Sequence, residues 1–456
     1  FDGVFFVAVR TTKIYCRTVC KAQVPRFENC GFHPSAASAE KAGYRPCLRC
    51  RPELAPGHSS VDAVSRQAAY AMSRIEDGAL SEGGVDQLAS EMGITSRHLR
   101  RIVESEYGVT PIELAQTQRL LMAKRLLTDT NLPLTAIAMA SGFLSLRRFN
   151  ALFLERYRMN PSRLRKEKNV ESESGTFGCE LSFRTPYDWN SILGFLRYRA
   201  SPGVEFVDDQ KYMRTVSSGG HQGWISVELS TKQDALRVTV SNSLAPVLLT
   251  VIAKVKRLFD LQATPAIIED HLGTLAKAYP GLRVPGAFDG FEVAARAILG
   301  QQVSVKGATV LAGRVAKLLG EKIETPFAEL NLLSPNAKSM ANVDPKALSA
   351  LGIIGTRTAS LIQLAKHIDS GAFNLEPGSD VEATKAAMKE IAGIGDWTAE
   401  YVAMRCLNWP DAFPYSDLGI KKALGLKSDK AIIETAEAWR PWRSYAAMHL
   451  WKSLEK

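Results

Sequence analysis

Residues 390–405 read EIAGIGDWTAEYVAMR. The spacing predicts a helix that ends near Ile391, a Gly-x-Gly hairpin at Gly393 and Gly395, and a new helix from about Asp396. Such a hairpin turns backbone N–H groups outward, and the following helix N-terminus adds partial positive charge, so together they suit a phosphate. Gly-x-Gly alone is a weak signal, and its surroundings strengthen it. Trp397 and Tyr401 stand four residues apart, on one helix face. Downstream come an acidic residue, Asp417, in FPYSDLGIKK (413–422), and a third aromatic, Trp451, in PWRSYAAMHLW (441–451). Each also has a structural reading: aromatic stripes pack cores, and Asp417 can cap a helix beginning at Leu418.

This segment resembles the helix-hairpin-helix of DNA glycosylases. From about Phe177 to Lys456, including FDGFEVAARAILGQQVSVKGATVLAGRVA (288–316), the chain is similar to AlkA-type 3-methyladenine glycosylases. The resemblance implies that Asp417 is the catalytic carboxylate, beside the anomeric carbon of a flipped nucleotide. Cleaving an N-glycosidic bond develops oxocarbenium charge on the sugar, which an anion stabilises. Asp396 and Asp411 are neighbouring acids that do not match this position. Trp397, Tyr401 and Trp451 are implied to form the base pocket, where cation–π attraction favours alkylated bases carrying positive charge. Bifunctional relatives place a Schiff-base lysine where this chain has Trp397, so hydrolysis without strand cleavage is expected. Gln302 matches the residue that wedges into the duplex, here polar where a relative is apolar; the other reading is a helix-capping loop.

Residues 177–260 alternate strand-like runs (GWISVEL, ALRVTVS) with helical stretches and are expected to be an α+β subdomain ahead of a helical core, 261–456. Two polar stretches rich in turn formers or charge, PELAPGHSS (52–60) and KEKNVESESGT (166–176), read as linkers. They delimit a domain at 1–55 and another at 60–166.

Within 60–166 a pattern occurs twice, over 85–127 and 134–165: a short apolar-periodic helix, a turn at Gly93 or Gly142, then a helix with a basic face. That is helix-turn-helix grammar, with the second helix of each unit suited to a major groove. The exposed candidates are Ser96, Arg97, His98, Arg100 and Arg101, then Ser145, Arg147, Arg148 and Asn150. Arg reads guanine and Asn reads adenine, although most such contacts go to phosphate. The alternative is a helical bundle with a solvated basic face. With YGVTPIEL (107–114) and YRMNPSRL (157–164), the pair resembles the AraC-type DNA-binding domain. That family usually has Gly where the second unit has Arg158, so strain is expected there.

Cys16, Cys20, Cys47 and Cys50 are spaced C-x₃-C and C-x₂-C, the pattern of a closed tetrahedral Zn²⁺ site. Arg17, Lys21, Arg45, Arg49 and Arg51 crowd these ligands and suit a phosphate backbone. A purely structural zinc knuckle is one reading. Two disulfides are a weaker one, since no secretory signal is seen and Cys30, Cys179 and Cys406 are left over. FFVAVRTTKIYCRTVC (5–20) and GYRPCLRCRPE (43–53) resemble the N-terminal domain of Ada-type alkylation-response proteins. The resemblance implies that Cys16 accepts a methyl group from a methylated DNA phosphate, irreversibly, with the other three cysteines as remaining ligands. Methylation would remove one negative charge and ease repulsion from DNA. No PCHR-type cysteine motif occurs, so repair of O⁶-methylguanine is not expected.

At 456 residues the chain exceeds one core, and 46% hydrophobic content is that of a globular protein. The net charge of +10 favours an anionic partner. No run approaches the roughly 20 apolar residues of a membrane span. The chain starts at Phe1, so a short piece is expected to precede it. The remaining histidines, including His33, His58, His221 and His449, show no ligand spacing, and Cys406 is expected in a core. The expected fold is multi-domain and mainly α: a small zinc-bound α/β domain, tandem helix-turn-helix, an α+β subdomain and a helix-hairpin-helix core. The expected function is a cytoplasmic alkylation-repair enzyme and transcription activator that binds double-stranded DNA and Zn²⁺, with RNA polymerase a candidate partner and no membrane association. Two alternatives are a regulator whose glycosylase module only senses or clamps DNA, and a glycosylase whose zinc module only docks.

Overall fold

The computed structural model describes residues 2–455 apart from 21, 23–24, 56–65, 131, 166–174 and 232–233. Lys21, His58 and much of both linkers therefore lie outside the described residues. Two compact units result: Phe1–Arg184 with Ser218–Ala253, and Thr185–Ser217 with Lys254–Lys456. No described helix is long and apolar enough to cross a membrane.

The first unit begins with a four-stranded sheet. Phe6–Val9 pairs antiparallel with Ile14–Arg17 and Cys30–His33, and Arg45–Pro46 adds a short parallel edge. Alternation along Phe6–Val9 sends Phe6 and Ala8 inward with Tyr15, against Ala36 and Ala39 of the helix Ala36–Lys41. The tandem helix-turn-helix follows. Its paired helices are Val85–Glu91 with Ser96–Tyr107, and Leu134–Ala140 with Leu146–Tyr157, joined by the long helix Pro111–Asp129. Thr95 and Ser145 cap the two second helices, accepting from the His98 and Arg148 amides. Leu99, Val103 and Tyr107 are buried in one second helix, Phe149, Phe153 and Tyr157 in the other. The first of these helices ends on Gly108 at φ 72°, the second on Arg158 at φ 56°, so the expected strained position is adopted.

Helix Pro111–Asp129 is buried over much of its surface, polar Thr117, Lys124 and Arg125 included. Leu121 packs with Phe6 and Tyr15 of the sheet. Two buried polar networks bind the helix to the zinc module. Glu40 accepts from the Tyr15 hydroxyl (3.0 Å) and the Thr117 hydroxyl (2.9 Å). Glu53 accepts from Lys124 (2.6 Å) and Arg51 (3.0 Å), and Arg51 also reaches Asp129 (2.8 Å). The unit also holds strands Thr176–Ser182, Ala235–Ser241 and His221–Leu229, paired antiparallel in that order. The strand-like runs GWISVEL and ALRVTVS both fall in these strands.

The second unit contains the hairpin Glu205–Val207 with Lys211–Ser218 and a helical body. Helices Gly290–Leu299, Gly355–Asp369 and Asp396–Arg405 share a core including Ala294, Ile298, Leu361, Leu364 and Val402, all fully buried. Cys406 lies in this core at 1% exposure, as expected. A smaller cluster, Phe413, Ile420, Ile432, Ala447 and Leu450, unites Leu418–Leu424, Asp429–Ala436 and Arg443–Lys452. These helices carry Asp417 and Trp451.

Candidate functional site

Asp417 is the N-cap of helix Leu418–Leu424, and its carboxylate accepts four hydrogen bonds. Oδ1 takes the amides of Gly419 (2.8 Å) and Ile420 (3.1 Å) and the indole N–H of Trp451 (2.9 Å). Oδ2 takes the indole N–H of Trp397 (2.8 Å). The capping and pocket readings therefore coexist at one side chain. Trp397 stacks on Tyr401, centroids 5.2 Å apart and planes 9° apart, and Tyr401 lies 6.4 Å from Trp451 at 52°. A flat base needs about 7 Å between two stacked rings, two contacts of roughly 3.5 Å. By that measure the Trp397–Tyr401 stack has no room for one, and the tilted Tyr401–Trp451 pair falls just short of it. The neighbouring acids are spent elsewhere. Asp411 is buried and pinned by Arg440 and by Arg443 (2.7 Å), while exposed Asp396 takes Lys389 (3.1 Å) and the Tyr415 hydroxyl (2.8 Å).

The hairpin is anchored by buried Ile394 between exposed Gly393 and Gly395. Gly393 sits at φ 89°, and a Cβ there would come 2.5 Å from Ser360 Oγ, which donates to the Ala392 carbonyl (2.6 Å). Gly395 is the N-cap of helix Asp396–Arg405, and a Cβ built there would meet nothing within 4 Å. Gln301 joins this hairpin to the loop before helix Val305–Leu319: its amide donates to the Gly393 carbonyl (2.9 Å) and to Thr398 Oγ1 (3.0 Å). Next to it, Gln302 is exposed at φ 54°, projecting from a tight turn.

In the first unit, the thiol sulfurs of Cys16, Cys20, Cys47 and Cys50 lie within 4.8 Å of one another, the sole metal-competent group among the described residues. Tetrahedral Zn–S bonds of about 2.3 Å place sulfurs about 3.8 Å apart, so this set fits Zn²⁺. The Arg17 amide donates to Cys50 Sγ (3.4 Å) and the Arg49 amide to Cys47 Sγ (3.4 Å), orienting the ligands. The basic crowd around them is divided. Arg17 is held by Asp2 and Arg51 by Glu53 and Asp129, so these two brace the module and do not face solvent as expected. Arg49 is exposed and Arg45 half-buried.

On the helix-turn-helix units, Arg97, Arg100, Arg101, Arg147, Arg148 and Asn150 are exposed. His98 is partly occupied, bonded to Gln67 (3.1 Å) and to Arg101 (2.9 Å). Ser96 bonds Asp86, and Ser145 is used as a cap.

Four family models match in series: the metal binding domain of Ada over residues 1–53, a helix-turn-helix domain over 88–167, the AlkA N-terminal domain over 178–289, and the HhH-GPD superfamily of base excision DNA repair proteins over 295–440. The probable bifunctional transcriptional activator/DNA repair enzyme AlkA of Mycobacterium tuberculosis is 37% identical over 471 residues, covering all of this chain and 94% of that one. The chain belongs to the AlkA bifunctional activator/repair family. DNA-3-methyladenine glycosylase 2 of Escherichia coli is 41% identical over 271 residues, 59% of this chain and 95% of that protein. A solved 3-methyladenine DNA glycosylase from Archaeoglobus fulgidus shares the fold, with TM-score 0.54 at 20% identity, over 60% of this chain and 97% of that one.

In this AlkA-family chain, sequence reasoning named the pocket residues but missed what binds them together. The indole clamps on Asp417 join positions 20 and 34 residues apart, and the Gln301 link spans 92 residues to Gly393. No local pattern encodes such pairings. A second glutamine beside Gln302 was the available hint for Gln301.

Proposed function

We propose that the chain couples two alkylation-repair chemistries to DNA-sequence recognition, with labour divided as domains 1–55, 60–166, 177–260 and 261–456. The observation that carries the excision half is the Asp417 carboxylate, gripped by two indoles in an aromatic pocket beside the hairpin. The outward amides around Gly393 and Gly395 hold a phosphate of the damaged strand, and Gln302 fills the gap in the duplex and hydrogen-bonds the orphaned base. The base enters toward Tyr401 and Trp451, where cationic alkylated bases gain cation–π attraction. Asp417 lies against the sugar as the C1′–N bond breaks, with the bond electrons leaving on the base. Water adds to C1′ and releases its proton, giving an abasic site. Trp397 offers no amine, so no Schiff base forms and the strand stays intact.

In the zinc module, Cys16, Cys20, Cys47 and Cys50 would hold Zn²⁺, which keeps the thiols deprotonated at neutral pH. The Cys16 sulfur takes the methyl group of a DNA methylphosphotriester: an S–C bond forms, the methyl C–O bond breaks, and the phosphate leaves as a diester anion. The site loses one negative charge, DNA repulsion falls, and Arg97, Arg100, Arg101, Arg147, Arg148 and Asn150 engage a promoter. Incubation with methylphosphotriester DNA tests the transfer by intact mass. One methyl group per chain, mapped to Cys16 and absent in Cys16→Ser, is expected; an unmethylated wild type would reduce the module to docking.

A further inference from the structure

Behind the aromatic pocket lies a cavity of about 90 Å³ whose lining includes Tyr401, Arg199, Arg296 and Arg405 but not Asp417, Trp397 or Trp451. That is room for about three waters or one tetrahedral oxyanion. Arg405 donates to the Tyr401 hydroxyl (2.7 Å) and to the carbonyls of Gly286 (2.9 Å) and Pro285. Arg199 donates to the Phe195 carbonyl (3.1 Å), and Arg296 to Thr309 Oγ1 (2.7 Å). None of the three guanidiniums forms an ion pair with a described residue. The two carboxylates lining the cavity, Glu205 and Glu292, are turned to Arg214, at 3.9 and 2.6 Å.

The three guanidiniums therefore lack a paired carboxylate, although the Glu205 charge acts on Arg296 and the Glu455 charge on Arg199 from beyond ion-pair distance. Arg199 and Arg405 both lie against the Phe195 ring, with guanidinium carbons 3.7 and 4.9 Å from its centre, and a quadrupole neutralises neither. Arg296 Nη1 is buried without a hydrogen-bond partner. Burial holds Arg296 down to about 10, with Tyr401 and Glu205 opposing the shift and Arg199 and Arg405 adding to it. Burial would raise the Tyr401 hydroxyl, yet Arg405, Arg199 and Arg296 together bring it below its usual value. Ser201 and Ser334 line the same cavity.

We propose that this cavity is an oxyanion site taking a phosphate-class group, held by Arg199, Arg296 and Arg405. Arg and oxyanion match as fork and acceptor, and a buried guanidinium without a paired carboxylate is the group such a ligand satisfies. The site is separate from the Asp417 chemistry and stands whether or not the excision reading holds. Its anion comes from solution or from a DNA backbone, and the test separates the two.

The zinc-loaded full chain is titrated with sodium phosphate against sodium chloride at matched ionic strength, reading the thermal midpoint and the calorimetric isotherm. A saturable phosphate response is expected, weakened at least tenfold by Arg296→Gln and by Arg199→Gln and unchanged by Arg314→Gln, whose guanidinium bonds the Leu351 carbonyl and is not in the cavity lining. The two cavity variants keep the result readable if one fails to fold. Repeating the isotherm with saturating unmodified duplex assigns the source: competition places the oxyanion on DNA, additivity places it in solution. Superimposable phosphate and chloride curves, or a phosphate response equal in wild type and both cavity variants, would overturn the proposal.

Discussion

Glu40 makes the zinc module and the helix-turn-helix domain jointly sensitive to pH. Its carboxyl is buried between Tyr15, beside Cys16, and Thr117 of the long helix. Burial pushes it up to about 7 from 4.5, with the Thr117 and Tyr15 hydrogen bonds acting in the opposite direction. Between those values the folded chain holds a proton that the unfolded chain has released. Stability from this group is therefore full below pH 4.5, falls as pH rises, and levels off above 7. At about 1.4 kcal/mol per pH unit, the total is about 3 kcal/mol. Glu40→Gln is neutral throughout, and its amide can still exchange hydrogen bonds with both hydroxyls. Urea midpoints are compared for wild type and variant from pH 5.5 to 8 at fixed zinc, following hydrogen-exchange protection in residues 111–129. The variant should gain on the wild type as pH rises to about 7 and then keep a constant lead. Parallel curves would refute the reasoning, because they would mean Glu40 titrates alike in both states.

Three further outcomes follow from the same geometry. Lys124→Met leaves Glu53 buried with only Arg51 opposite, at a cost of about 3 kcal/mol in urea unfolding, and adding Glu53→Gln should recover part of it. Arg158→Gly relieves a left-handed residue and should stabilise by about 1 kcal/mol in the same assay, whereas Arg158→Ala should not. Trp451→Phe keeps a ring but removes the N–H held by Asp417 Oδ1; single-turnover excision should slow about tenfold, the worth of one hydrogen bond to a charged group, with KM little changed.

The parts legible in the sequence were those written in local chemistry. Cysteine spacing gave the metal set, the Gly-x-Gly gave the hairpin, and the repeated helix–turn–helix pattern gave the second helix of each unit. Arg158 was legible even as an exception, because the Gly108 position shows what conformation that turn requires. Arg17 and Arg51 misled, since a basic residue beside a metal ligand looks the same in sequence whether it faces phosphate or a buried carboxylate. Asp2 and Asp129 decide that, and they approach only on folding. The arginine cavity was invisible for a similar reason: Arg199, just past one helix, and Arg296 and Arg405, in two others, line one cavity only once the chain has folded.

The central claim is that Asp417 drives hydrolytic release of alkylated bases. It is tested most directly by incubating methylated duplex DNA with wild type and Asp417→Asn, scoring free bases, abasic sites and strand breaks separately. Asn retains one oxygen for the Gly419 and Ile420 amides, so the helix cap and fold persist while the anion is lost. The account predicts free alkylated bases and abasic sites without breaks for wild type, and none above background for the folded variant. Equal release by both proteins, or none from a folded wild type, would contradict it.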